Sequence, residues 1–180
     1  MRFTVEEIKE LVVSAIVIGF CFAWIYRRPD TPMIITFFTM LIGVGAGFIG
    51  HELAHKATAQ RYGCWAEFRM WETGLILALV FAIFFRGVFV APGAVHIMCG
   101  YYGISNRQNG IISAAGAIVN LALAVIFLMV GFSFGVMINA WLALFNMIPM
   151  PPLDGSKVFR WNPAVWAGIG IGALVMLGLA

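Results

Sequence analysis

Two histidines four residues apart with a glutamate between them, His51-Glu52-Leu53-Ala54-His55, are the side chains of this sequence best placed to do chemistry. On a helix, positions four apart project from one face about one turn apart, so both imidazoles can reach a single Zn²⁺. Glu52 lies beside His51 on that helix and can serve as general base toward a metal-activated water. The alternative is a helix end whose polar residues simply face interfacial water, because Lys56 and Gln60 follow closely.

A catalytic zinc takes three protein ligands and keeps a fourth position open. Asp154 is the best carboxylate for the third. It lies just past an apolar run, in Pro149-Met150-Pro151-Pro152-Leu153-Asp154-Gly155. Those prolines forbid continuous helix and free the chain to turn Asp154 inward. An N-cap for a helix starting at Gly155 is the plainer role for the same residue. His96, the one remaining histidine, is the other candidate ligand. Asn146, in a run that is otherwise apolar, could donate to a tetrahedral oxyanion or hold a substrate carbonyl. For Asn120 an interhelical hydrogen bond is at least as good a reading as a catalytic one.

The elements that must position these groups are apolar helices. Of the 180 residues 62% are hydrophobic and 11% charged, and the mean hydropathy is +0.97. That balance leaves too little polar surface to cover a soluble core of this length. The reading is an all-α polytopic membrane protein forming one domain over residues 1–180, with no soluble accessory domain. It has about five transmembrane helices, near residues 8–26, 33–57, 111–130, 134–148 and 164–179. Between the second and third lies a small membrane-associated β segment, about 62–98. There Cys64, Ala66, Phe68 and Met70 alternate with Trp65, Glu67, Arg69 and Trp71, a period of two. Gly87 to Met98 reads as two short extended segments around a Pro92-Gly93 turn. Leu75–Phe85 is short for a span. Placing a charged or imidazole side chain in a span costs roughly a few kcal/mol unless it is paired or ligated, which favours a functional HELAH motif.

A net charge of +3 with scattered cations argues against nucleic acid. The cations fit membrane topology instead. If Leu75–Phe85 does not cross, one side holds Arg2, Lys9, Lys56, Arg61, Arg69, Arg86, Arg107, Lys157 and Arg160, and the other only Arg27 and Arg28. That bias marks the first side as cytoplasmic and places the N-terminus and the site's opening there, in the cell membrane of a prokaryote. Cys21, Cys64 and Cys99 are odd in number and form no C-x-x-C pair, so they read as packing residues and not as a disulfide framework.

His51-Glu52-Leu53-Ala54-His55 together with Asn146-Met147-Ile148-Pro149-Met150-Pro151-Pro152-Leu153-Asp154-Gly155 resembles the site-2 protease family of intramembrane zinc metalloproteases. Ala115-Gly116-Ala117-Ile118-Val119-Asn120 is similar to that family's A-G-P-x-x-N element, with Ala117 where proline is usual. The resemblance implies one zinc per chain on His51, His55 and Asp154, water activation by Glu52, and the motif asparagine at Asn146. It also implies a β segment after the H-E-x-x-H helix. The activity implied is cleavage of peptide bonds in transmembrane protein substrates. The rival readings are a membrane transporter and a non-catalytic membrane protein with a structural metal site. A transporter would need symmetric broken helices, and no inverted repeat is visible.

Overall fold

The computed structural model describes residues 1–87, 92–101 and 103–180. Helix α1 (Val5–Ile25) opens on Thr4, whose side chain accepts from the Glu7 N–H, and it carries Glu6 and Glu7 in its first turn. An extended Pro32 starts α2 (Met33–Met40), which runs through a π-helical turn, Leu41–Gly45, into α3 (Ala46–Arg61). Strand β1 (Trp65–Met70), helix α4 (Glu72–Val80) with a closing π-helical turn, and strand β2 (Gly93–Met98) follow. The rest is helical: α5 (Asn106–Met129), α6 (Ser133–Asn146), α7 (Asp154–Trp161) and α8 (Pro163–Gly178). Local signals set the starts. Ser105 and Gln108 form a reciprocal capping box at α5, and Asn162 caps α8 with proline in its first turn.

Each segment expected to span is a helix. Three helical stretches, Val5–Ile25, Met33–Arg61 and Asn106–Met129, are long and apolar enough to cross a membrane. Helices α6 and α8, of 14 and 16 residues, reach about 21 and 24 Å at 1.5 Å per residue, less than the ~30 Å of a hydrocarbon core.

The segment 62–98 departs from the β-rich expectation. Among the described residues its strands are confined to the ends, and Glu72–Phe85 between them is an apolar helix. Alternation is real only over Trp65–Met70; the Leu-Ile-Leu-Ala-Leu run that follows favours helix. The first of the two expected extended segments falls on residues 88–91, outside the described residues.

The strands pair antiparallel, Trp65 opposite Met98 through Met70 opposite Gly93. One step beyond that register, Cys64 and Cys99 face each other with their Cα atoms 4.3 Å apart and form a disulfide. This overturns the expectation of three packing cysteines. Only Cys21 is free and buried. Thirty-five residues separate the bridged pair, so nothing local announces it. Closing a loop of that length restricts the unfolded chain, and a Cys64→Ala/Cys99→Ala double variant is expected to lose about 2–4 kcal/mol. The check is the melting midpoint in detergent, which full reduction of the native chain should lower equally.

Helix α5 is central and packs on α3, α6, α7 and α8, while α1 packs on α2, the first π-helical turn, β1 and α4. One core lies between α1, the α2–α3 helix and β1, around Ile18, Phe22, Val44, Phe48 and Phe68. A second joins α5, α6, α7 and α8 through Ala114, Ala117, Ala143, Val158 and Ala173. Small residues there let the helix backbones approach closely. Large apolar side chains also point outward, among them Ile34, Phe38, Ile42, Ile118, Ile126, Ile171 and Leu174.

Candidate metal centre

Each ligand-bearing element presents its group for a local reason. Residues 51 and 55 are one turn apart on α3, and their rings meet edge to face with centroids 4.5 Å apart. Outer partners fix both rings. His51 Nδ1 lies 2.7 Å from Asn120 Oδ1, and His55 Nδ1 lies 2.8 Å from the Ile112 carbonyl oxygen. Both acceptors belong to α5, so both Nδ1 atoms carry hydrogen and both Nε2 atoms point the other way. Asp154 begins α7 and brings Oδ2 to 3.3 Å from His51 Nε2 and 3.0 Å from His55 Nε2.

The three side chains can each offer one ligand atom, all within 4.8 Å of one another. Ligand atoms about 2.0–2.1 Å from a tetrahedral zinc lie roughly 3.3 Å apart, close to both Asp154 contacts. Two neutral imidazoles and one carboxylate, with both imidazoles oriented from behind, form a donor set that suits Zn²⁺ and leaves a fourth position open.

Glycines let backbone come close at two points. A Cβ on Gly116 would sit 2.6 Å from His51 Cε1, so the imidazole rests on the backbone of α5. A Cβ on Gly155 would sit 2.3 Å from the Met147 carbonyl oxygen, so only glycine lets α7 start against the end of α6 and carry Asp154 inward. The Gly116 and Asn120 positions of the A-G-A-I-V-N segment therefore support one histidine from two sides.

Glu52 is 9% exposed, on the same helix, and its carboxyl lies near the Val95 backbone N–H. Burial works against ionisation of Asp154, yet His55 and His51, when protonated, hold its carboxyl well below the usual carboxylate range. Lys157 Nζ lies 3.3 Å from the other Asp154 oxygen, Oδ1.

Sequence-expected residues therefore divide. His51, His55 and Asp154 converge, with Glu52 beside them. His96 is exposed on β2, opposite Glu67, and is no part of this cluster. Asn146 uses its amide to donate to the Leu142 carbonyl of its own helix, 3.0 Å away. Asn120 makes the interhelical bond, and its partner is a cluster histidine.

Other residues escape a reading of spacing. Lys56, which could have faced interfacial water, is 1% exposed and paired with Glu7, itself fully buried. Glu7 also accepts the Phe68 N–H, and Glu10 accepts the Met70 N–H, so α1 covers the outer edge of β1. The expectation that α6 is apolar apart from Asn146 fails at Asn139, which is fully buried. A second amide in an apolar helix was the available signal.

A protein of Methanocaldococcus jannaschii named "Putative zinc metalloprotease" is 43% identical over 182 residues, covering 94% of this chain and 92% of that protein. The chain belongs to that protein's family. Identity on this scale extends over both segments that build the cluster, so the zinc metalloprotease family and the two-imidazole, one-carboxylate geometry point the same way. No family model matches the chain, and no solved structure does.

Proposed function

We propose that the chain is a zinc-dependent intramembrane endopeptidase of the site-2 protease type, cutting peptide bonds in transmembrane segments of protein substrates. The observation that carries this reading is the convergence of His51, His55 and Asp154, from helices far apart in sequence, with a carboxylate base beside them. The apolar outer faces of α2, α5 and α8 support a lipid setting, because exposed aliphatic surface on this scale is stable where lipid is the solvent. Five helices cross in this reading, the shorter α6 and α8 matched by local thinning of the bilayer. The cation bias puts the N-terminus and the site's opening on the cytoplasmic side. A disulfide persists on that side chiefly in hyperthermophiles, so the orientation and the Cys64–Cys99 bridge together imply such a source.

His51, His55 and Asp154 would hold the metal, which when bound supplies a Lewis acid that acidifies water and polarises a carbonyl. The remaining work falls to the chain. Glu52 takes the proton of the attacking water and returns it to the departing amine nitrogen. Its neighbour Val95 lies in β2, whose far side is paired with β1. With Glu7 and Glu10 taking the Phe68 and Met70 N–H groups on the outer edge of β1, the outer edge of β2 beside Glu52 is the one that would receive an unwound substrate strand. A helical peptide bond has its carbonyl hydrogen-bonded, so the substrate must locally unwind to be cut.

The test is cleavage of a transmembrane peptide by purified protein in liposomes, with metal analysis of the same sample. Cleavage should stop with a strong chelator and return with zinc. Asp154→Ala should weaken zinc binding by more than the roughly 10–100-fold typical of an outer partner. Cleavage that ignores the chelator, or a purified protein that binds no zinc, would overturn the reading.

A further inference from the structure

Behind His51 lies a chain of two buried amides that the zinc chemistry does not itself require. Asn120 Oδ1 faces His51 Nδ1 at 2.7 Å. The Asn120 amide nitrogen donates to the Gly47 carbonyl at 3.0 Å and to Asn139 Oδ1 at 3.1 Å. Asn139 in turn donates to the Gly43 carbonyl at 3.1 Å and the Gly135 carbonyl at 2.9 Å. Both asparagines are fully buried.

The direction of this chain is set at its far end. Backbone carbonyls only accept, so Asn139 must turn its NH₂ toward Gly43 and Gly135 and its oxygen toward Asn120. Asn120 must then turn its own NH₂ toward Asn139 and Gly47, which leaves its oxygen for the imidazole. An oxygen there accepts only from an Nδ1–H. His51 is thereby left with its lone pair on Nε2, the atom 3.3 Å from Asp154 Oδ2. Reversing either amide would set oxygen against oxygen or N–H against N–H in a buried site, at the cost of unsatisfied groups. Gly43 lies in the π-helical turn of the metal-bearing helix and Gly135 in α6. Asn139 therefore ties the histidine's orientation to the packing of two helices. His55 needs no such relay, since its Nδ1 meets the Ile112 carbonyl directly.

We propose that Asn139 is a positioning residue of the metal centre, acting through Asn120 to hold His51 in the Nδ1–H tautomer with Nε2 toward the metal. The proposal rests on the zinc reading above but is separable from it.

In metal-free native protein with ¹⁵N-labelled histidine, NMR should show His51 Nδ1 carrying hydrogen, whether or not Nε2 is also protonated against Asp154. An Nδ1 without hydrogen would overturn the proposal without any variant and whether or not zinc binds. Zinc dissociation constants, from competition with a chromophoric chelator, supply the second arm. Asn139→Leu should weaken zinc by about 10–100-fold, as outer partners of metal histidines do. In an Asn120→Ala background the same change should add less than about threefold, because the relay is already cut. Equal losses in both backgrounds, or no loss in the native background, would show that Asn139 acts only through packing. A native protein that binds no zinc but keeps the His51 Nδ1–H would refute the zinc reading and leave the relay standing.

Discussion

Glu52→Gln should keep its zinc and lose cleavage of a transmembrane substrate by about 10²–10⁴-fold, the range that a positioned general base supplies. The substitution preserves shape and burial. Its amide oxygen still faces the Val95 backbone N–H, and His51, His55 and Asp154 keep their contacts. What disappears is the capacity to take a proton from water and hand it to the leaving amine. Stoichiometric zinc with undiminished single-turnover cleavage would remove Glu52 from the chemistry. Loss of zinc together with activity would instead mean that the carboxylate helps to hold the metal. The two quantities therefore have to be measured on one preparation.

The largest expected effect on stability lies away from the metal, at the buried pair of Lys56 and Glu7. The ammonium is 1% exposed and the carboxylate fully buried. Removing one partner strands a charge in a low-dielectric interior, and Glu7→Leu or Lys56→Met should cost about 3–5 kcal/mol. The two changes are not equivalent. Glu7 also accepts the Phe68 N–H at 3.0 Å, so its loss further leaves a backbone donor without a partner, worth about 1–3 kcal/mol. The double variant Glu7→Leu/Lys56→Met should recover the charge penalty and retain only the Phe68 deficit. Melting midpoints of the native chain, both single variants and the double variant in one detergent form the cycle that checks this. Additive losses would show that the two charges do not depend on each other. Because Lys56 adjoins His55 and Phe68 lies in β1, the pair also joins α1, the metal-bearing helix and the sheet into one unit.

The readable part of the site consists of what one helix fixes alone. His51, Glu52 and His55 share a face because of the α-helical repeat, whatever surrounds them. The alternation over Trp65–Met70 announced β1 for the same reason, since a period of two belongs to a single strand. Where local preference changed within a segment, the reading blurred. The apolar run after Trp71 became a helix although its flanks are strands, because its composition and not its neighbours decided its conformation. Asp154 was legible as a candidate through its apolar and proline-rich setting, but His96 could be set aside only once β2 placed it opposite Glu67 and facing outward.

By itself, then, the sequence determined the five helices read as spans, the strand next to the motif, and the three side chains gathered by the H-E-x-x-H repeat. Tertiary structure brought Asp154, the carboxylate already singled out, onto the two imidazoles, and it alone decided that Cys64 meets Cys99, that Glu7 neutralises Lys56, and that Asn139 stands behind Asn120. The physical reason is the range of the forces. Backbone periodicity and capping act within a few residues and leave a trace in composition. A hydrogen bond or ion pair between distant segments instead depends on how packed helices are set against one another, and that placement is a property of the whole core.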